Sequence, residues 1–301
     1  MHWCRHEVLH DGQCNYGAGL NSKQLREEME KEFPTAVAFR DPSKDAAYGR
    51  KTHVGYFRSS FTAENASWAG FKGGQNHFDD HGSDSHNNHG HLDLGHFVFE
   101  MSGQRWAVSI GSGQYDYPDL SYFGRFRFGY YHTASFGQNT LSFDGESQSR
   151  FGDAAIVDFR GGNRSALKGP KAVVDMTNGY GGAAKVRRTL SFSEDYSRFE
   201  VEDSFENAGS KVLEWRMHTV AKITQLLDDS AVLVLGGVKL AAKILKPPGA
   251  KFSAEKLELP PPQLSTYQTS ERRYKGLPIR VLKVKVPTSG GVIAVQFEKM
   301  E

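Results

Sequence analysis

The chain has 301 residues, with 37 basic and 35 acidic side chains and a net charge of +2. A chain of this length can bury a substantial core in one large domain or two ordinary ones. The charges nearly balance and form no long basic run, so nucleic acid is excluded as the default partner. The most apolar window, residues 231–245, is interrupted by glycines and lysines and is too short to span a membrane.

The first 35 residues contain both cysteines and one predicted helix. Cys4 and Cys14 either pair in an oxidising compartment or remain free thiols, and no apolar secretory signal is visible. Residues 21–33 have apolar side chains at helical spacing, and Pro34 blocks continuation of the helix. We expect residues 1–35 to be a helical segment, the remnant of a linker or of a preceding domain.

Two alternating runs of apolar and polar residues predict β-hairpins. Residues 95–111 alternate on both sides of Ser102-Gly103-Gln104, a strong turn signal, and residues 185–205 repeat the pattern around residues 194–196. Three further runs, at residues 212–220, 279–286 and 291–298, alternate in the same way.

The remaining organisation favours one sheet system. Residues 258–278 contain three successive prolines, which cannot donate to a sheet ladder, so this tract is expected to be a surface loop. Many short strands with few helices predict a mainly β fold. We expect an antiparallel β-sandwich over residues 36–301.

Residues 76–97 contain six of the twelve histidines of the chain. His89 and His91 are two positions apart, so on an extended backbone they point to the same face. With Asp93 they form a possible zinc-binding trio. Histidines at this spacing are equally suited to proton transfer, and a solvated polar loop is the third interpretation. The local spacing leaves these three open.

Five sequence elements in and around this stretch occur in a characteristic order. They are "VGYFRSS", the glycine turn "FKGGQN", "NHGHLDLG", a hairpin ending near "GSGQY", and "QNTLSFDGESQ". Together, from about residue 54 to residue 148, they resemble the β-sandwich domain of the heparinase II/III-like polysaccharide lyases. That family includes heparin and heparan lyases, oligoalginate lyases and, more distantly, dermatan sulfate epimerases. The resemblance implies β-elimination on a uronic acid within an acidic polysaccharide, either a glycosaminoglycan or alginate.

The resemblance also implies roles for individual residues. The first histidine of the "NHxH" element lies at the active cleft of the family, and here it is His89, the predicted catalytic residue. Asn88, Arg127 and Tyr131 are the predicted substrate-binding residues. An arginine fork can meet carboxylates or sulfates, and a tyrosine ring can stack on a sugar, although either side chain could instead serve packing or a solvent-facing strand.

The second histidine of that element ligates a structural zinc in the family, and here it is His91. The other two family ligands are an aspartate and a histidine, whose positions are taken here by Ser109 and Gln138. A hydroxyl and an amide are poor replacements, so we expect no tight zinc site and no other cofactor. Ser109 and Gln138 are expected instead to hydrogen-bond to each other and to His91, although Asp93 could support a weaker metal site.

Family members take their other catalytic groups from an α/α toroid domain upstream of the sandwich. Only about fifty residues precede the matched region here, so we expect a chain that lacks the toroid and has little activity alone. Two alternatives remain: a non-catalytic carbohydrate-binding or structural sandwich, and a uronyl C5 epimerase-like domain. Relatives are mostly secreted or periplasmic, but the sequence identifies neither the compartment nor the polysaccharide.

Overall fold

A computed structural model describes most of the chain as antiparallel β-sheet. It describes residues 36–41, 52–76, 90–110, 127–161, 168–206, 212–258, 276–288 and 291–300, together with Lys23, Gln24, Glu27 and Glu30. In this part of the chain the strands form three sheets of five, nine and four strands. The predicted mainly β, antiparallel fold is confirmed.

The five-stranded sheet contains the first predicted hairpin. In spatial order its strands are β1 (Ala36–Asp41), β2 (Thr52–Arg58), β3 (Trp68–Lys72), β5 (Phe97–Met101) and β6 (Gln104–Ala107). Between β5 and β6, Ser102 and Gly103 have positive φ angles of 55° and 73°. Two successive left-handed residues give the tight turn that matches the twist of paired strands, so the hairpin forms where the sequence predicts it.

The nine-stranded sheet includes the second predicted hairpin, whose two strands pair between residues 185 and 206. In spatial order its strands are β13 (Lys222–Leu226), β14 (Ser230–Leu235), β15 (Val238–Lys246), β18 (Gly291–Lys299), β11 (Arg198–Glu206), β10 (Lys185–Phe192), β9 (Lys171–Asp175), β8 (Asp153–Arg160) and β4 (Gly74–Gln75). Along β10 every second residue is buried, as expected for a sheet with one face on the core.

The four-stranded sheet contains the strands on both sides of the proline-rich tract. In spatial order they are β16 (Phe252–Lys256), β17 (Arg280–Pro287), β12 (Val212–Thr219) and β7 (Leu141–Phe143). Because β16 and β17 are neighbours, the tract connects adjacent strands, although residues 259–275 lie outside the described part. β17 and β18 are consecutive in the chain but belong to different sheets, so the chain crosses between layers there.

Aromatic side chains form the core between the layers. Phe99 of β5 lies 4.7 Å from Phe199 of β11 and 4.8 Å from Phe297 of β18, measured between ring centroids. Trp215 of β12 packs on the same Phe297 ring at 6.5 Å. All four side chains are fully buried, and burial of a side chain of this size contributes about 1.5–3 kcal/mol. The five- and four-stranded sheets therefore share the nine-stranded sheet as their partner.

A backbone hydrogen bond joins the two smaller sheets into one layer. The Val108 N–H, just after β6, donates to the carbonyl of His218 on β12 at 2.9 Å. The fold is thus a two-layer sandwich in which β6 and β12 lie side by side. The loops before β5 and before β7 lie near this junction.

A buried ion pair connects the layers through polar groups. Arg188 of β10 donates from Nε and Nη2 to the two carboxylate oxygens of Asp203 on β11, each at 2.8 Å, and both side chains are fully buried. Nη1 of Arg188 also donates to the carbonyls of Gly95 and Asn139, each at 2.7 Å. These two carbonyls belong to the opposite layer, so one guanidinium fixes both its own sheet and the facing loops.

The N-terminal segment is described only in part. Its described residues, Lys23, Gln24, Glu27 and Glu30, have helical backbone, and the Glu30 carboxylate accepts hydrogen bonds from Ser60 Oγ at 3.1 Å and Phe61 N at 2.5 Å. In the part of the chain that the structure describes, no helix is long and apolar enough to cross a membrane. Cys4 and Cys14 lie outside the described residues.

The buried ion pair gives a prediction for stability. Arg188→Leu is expected to lower the free energy of unfolding by about 3–5 kcal/mol, because Asp203 would be left as a buried, uncompensated carboxylate. Arg187→Leu is the matched control, since its partner Asp175 is accessible to water, and we expect a loss of no more than about 1 kcal/mol. Urea unfolding of both variants measures the difference, and equal losses would contradict the role given to Arg188.

Candidate functional site

Two chain segments carry the described part of the predicted site. Residues 90–96 precede β5, and residues 127–140 precede β7 and include two short 3₁₀ helices, Arg127–Gly129 and Ser135–Gly137. The Leu92 N–H donates to the Thr133 carbonyl at 2.9 Å, and Ser135 Oγ donates to the Leu92 carbonyl at 2.8 Å. The segments therefore run side by side, as the predicted site requires.

Arg127 contacts the residue that follows the predicted catalytic histidine, His89. Its Nε and Nη2 donate to the Gly90 carbonyl at 2.9 and 2.8 Å, and its side chain is fully buried. In this position the guanidinium supports the backbone next to His89. His89 and Asn88 themselves lie outside the described residues, so their roles stay predictions.

His91 is held by Gln138. The amide Nε2 of Gln138 lies 3.1 Å from His91 Nδ1, and the His132 ring stands edge-on to the His91 ring at 6.0 Å. Burial lowers the pKa of His91 to about 3 against the opposing charge of Asp93, and Arg127 and Lys72 add to the lowering. His91 is therefore a neutral imidazole at physiological pH.

The predicted polar network around His91 forms in part. Gln138 makes the expected contact with His91, but among the described residues the Ser109 hydroxyl makes no hydrogen bond to either of them. Asp93 pairs with Lys72, whose Nζ lies 2.5 Å from Asp93 Oδ1. Burial acts to raise the pKa of Asp93, but the charge and hydrogen bond of Lys72, with contributions from the neighbouring histidines, lower it overall.

The described residues around His91 offer no ready-made metal centre. Across the described ranges, no three His, Cys, Asp or Glu side chains are grouped so that they could hold a metal ion. The zinc that the family resemblance implies would have to use Ser109 and Gln138, which lack a carboxylate or imidazole. The donor set present here does not fit that zinc.

Tyr131 forms a hydrogen bond with a buried histidine, His218. Its hydroxyl lies 2.9 Å from His218 Nε2, and His218 Nδ1 lies 3.0 Å from Asn139 Oδ1. The Asn139 amide is oriented by its Nδ2, which donates to the carbonyls of Phe97 and Val108. The oxygen Oδ1 therefore accepts from His218 Nδ1–H, which leaves Nε2 to accept from the Tyr131 hydroxyl. Burial raises the pKa of Tyr131, with Arg216 opposing the shift.

Two further histidines near Asn139 are held neutral. Burial lowers the pKa of His218 well below its ordinary value, and nearby Arg216 lowers it further. Burial also lowers the pKa of His96 to about 4, with Lys72 and Arg188 acting in the same direction against Asp93. His96 Nδ1 accepts the Asn139 N–H at 3.0 Å, a bond that protonation of Nδ1 would break.

Sequence reasoning missed the polar residues that support the site. Asn139 and His218 are fully buried, and Gln148 donates from Nε2 to the Tyr180 hydroxyl at 2.7 Å and to the Leu94 carbonyl at 2.8 Å. Asn139 and Gln148 both fall within the "QNTLSFDGESQ" element, so that element was the available signal. His218 carried none, because it alternates with apolar residues as a solvent-facing strand residue would.

Comparisons with known proteins show what this sequence and this fold are similar to. Residues 53–282 match the model of the family described as heparinase II/III-like, C-terminal. The fold is similar to the heparan sulfate lyase HepC from Pedobacter heparinus, with a TM-score of 0.61 at 12% identity over 84% of this chain and 35% of that one. A heparinase III gene product gives a TM-score of 0.59 at 14% identity over 87% of this chain and 36% of that one.

A third solved structure, titled heparinase III, gives a TM-score of 0.60 at 10% identity over 82% of this chain and 35% of that one. The chain therefore spans about a third of the length of the solved structures it matches. At these identities the likeness shows the fold. No curated protein matches the sequence closely enough to count as a relative.

The neutral histidines give a prediction for pH dependence. The folded-state pKa of His96 and His218 lies below the unfolded value of 6.5, so below pH 6.5 the unfolded chain binds more protons. The free energy of unfolding is therefore expected to decrease as the pH falls from 6.5 toward about 4. The decrease is up to about 1.4 kcal/mol per pH unit for each histidine. Urea unfolding between pH 7.5 and 4.5 measures the slope.

His96→Gln provides the comparison for that experiment. The glutamine oxygen can still accept the Asn139 N–H, but the side chain does not titrate in this range. The variant is expected to show a shallower loss of stability with acid than the original chain. Identical slopes for the two proteins would rule out His96 as a source of the acid sensitivity.

Proposed function

Because the chain belongs to the heparinase II/III-like family through its C-terminal domain, we propose that it is the β-sandwich part of a polysaccharide lyase. The proposed substrate is a uronate-containing acidic polysaccharide, cleaved by β-elimination. The observation that carries this proposal is the family match over residues 53–282. That range contains His89 and both chain segments that lie side by side around His91.

The reaction needs three kinds of group. The C5 proton of a uronate is only weakly acidic, so the enzyme must hydrogen-bond or neutralise the carboxylate, remove the proton and protonate the departing O4. We assign His89 to the cleft, where it either transfers a proton or binds the carboxylate. A neutral histidine can serve either purpose, since an imidazole both donates and accepts.

Arg127 and Tyr131 support the proposal in different ways. The Arg127 guanidinium binds the Gly90 carbonyl, so we infer that it positions the backbone adjoining His89 and Asn88. Because the Tyr131 hydroxyl is hydrogen-bonded to His218 Nε2, we expect a sugar to contact the face of the Tyr131 ring. Stacking on an aromatic face is suited to the apolar side of a pyranose.

The remaining catalytic groups are proposed to come from another domain. The chain spans about a third of the length of the lyases whose fold it shares, and we propose that a helical toroid supplies a catalytic tyrosine and a second proton-transfer residue. Under this proposal residues 36–301 are the sandwich and residues 1–35 belong to the connection. The isolated chain would then show little lyase activity.

A non-catalytic carbohydrate-binding sandwich is the second candidate. It is favoured by the departures at Ser109 and Gln138 from the family pattern, because a site under no catalytic constraint can lose its metal ligands. A uronyl C5 epimerase shares the proton abstraction but returns a proton to the other face. The three candidates differ in product: an unsaturated uronate, no product, or an inverted uronate.

The ultraviolet absorbance of an unsaturated uronate product tests the lyase proposal. The chain, and the complete gene product that contains it, are incubated with heparan sulfate, other glycosaminoglycans and alginate. Product is expected from the complete gene product, and His89→Ala should lower its rate about 10²–10⁴-fold, the usual contribution of a positioned acid or base. His81→Ala, a histidine of the same stretch outside the matched motif, is expected to leave the rate unchanged.

The outcomes separate the candidates. Saturable binding without product, for every polysaccharide and for both proteins, would favour the binding module. Uronate inversion detected by proton NMR would favour the epimerase. Product formation that is unaffected by His89→Ala would refute the role of His89.

A further inference from the structure

We propose that the Gln138 amide replaces zinc in this chain as the group that holds His91. The family resemblance implies a structural zinc bound through the position of His91, with further ligands at the positions of Ser109 and Gln138. The inference concerns this structural site and does not depend on whether the chain is a lyase.

The orientation of the Gln138 amide is fixed by its surroundings. Its Nε2 lies 2.5 Å from the carbonyl oxygen of His132, and a carbonyl oxygen can only accept a hydrogen bond. The group facing that carbonyl is therefore the amide nitrogen and not the amide oxygen. Gln138 is fully buried, so the alternative orientation would press two oxygens together without water between them.

The same nitrogen then determines the tautomer of His91. Gln138 Nε2 carries two hydrogens, one for the His132 carbonyl and one for His91 Nδ1 at 3.1 Å. His91 Nδ1 must accept that second hydrogen, so the proton of this neutral imidazole lies on Nε2. Every hydrogen of the amide has an acceptor, and the ring is fixed in orientation and in tautomer.

This arrangement does the structural work of a metal and excludes one at the same nitrogen. A ligand must offer a lone pair, but the Nδ1 lone pair is taken up by an N–H, and an amide nitrogen has no lone pair to offer a metal. In the described part of the chain Ser109 makes no hydrogen bond to His91 or Gln138, so it does not complete a ligand set. In a metal site, the tautomer of a ligating histidine is set by the hydrogen-bond partner of the ring nitrogen that does not bind the metal. In this chain the Gln138 amide sets the tautomer of His91 by donating to Nδ1.

Nitrogen NMR of the histidine side chains tests the hydrogen-bond assignment. In the original chain His91 is expected to carry its proton on Nε2 alone. Gln138→Glu is the matched variant, because glutamate has the same shape but no N–H to donate. The glutamate should instead draw a proton to His91 Nδ1, so the signal of that nitrogen is expected to change from unprotonated to protonated. An unprotonated Nδ1 in both proteins would contradict the assignment.

Zinc content tests the replacement itself. The original chain, incubated with zinc chloride and then dialysed, is expected to retain substoichiometric zinc, and its melting temperature should not change on addition of EDTA. The double variant Ser109→Asp/Gln138→His restores the family donors and is expected to retain one zinc per chain. Adding His91→Ala to the double variant should abolish that binding.

Two results would overturn the proposal. One is stoichiometric zinc in the original chain that is lost in His91→Ala and that raises the melting temperature. The other is a double variant with an unchanged circular dichroism spectrum that still retains no zinc. Neither measurement depends on polysaccharide cleavage, so a failure here is distinguishable from a failure of the lyase proposal.

Discussion

The site depends on one buried asparagine that uses every polar group it has. Asn139 donates from Nδ2 to the carbonyls of Phe97 and Val108, and its Oδ1 accepts from the backbone and ring of His218. Its backbone carbonyl accepts from Arg188, and its N–H donates to His96. An unpaired buried polar group would cost about 1–3 kcal/mol, so these contacts keep both layers and the loop before β5 in one arrangement.

Three buried, neutral histidines are a common feature of the residues around the predicted cleft. Burial keeps His91, His96 and His218 uncharged, and the neighbouring amides of Gln138 and Asn139 decide which ring nitrogen carries the proton. Among the described residues, the Arg188–Asp203 ion pair is fully buried and holds the sheet behind the site. Closer to His91, the Lys72–Asp93 ion pair and the Arg127 guanidinium place charges beside the fixed donors and acceptors.

The alternation of apolar residues predicted seven of the eighteen described strands, β5, β6, β10, β11, β12, β17 and β18, but alternation alone does not show what surrounds each face of a strand. On β12 the residues Glu214, Arg216 and His218 alternate with apolar ones, as solvent-facing residues do, yet all three are buried. Part of the cover comes from residues 127–138: the Phe136 carbonyl accepts from Arg216 Nη1 at 2.8 Å, and the Tyr131 hydroxyl meets His218. A periodicity of two identifies the faces of a strand, but it cannot reveal which loop will cover one of them.

The sequence alone determined the β-sandwich, the hairpins at residues 95–111 and 185–205, and the family, because alternation, turn residues and ordered motifs are local properties of the chain. It also determined that Ser109 and Gln138 depart from the family's zinc ligands. Only the tertiary structure decided that Gln138 is hydrogen-bonded to His91 while Ser109 is not, that Arg127 donates to the Gly90 carbonyl, and that the Tyr131 hydroxyl is hydrogen-bonded to His218. These contacts join residues between 37 and 87 positions apart in the chain, and their orientation is set by the packing of two layers, which no local pattern encodes.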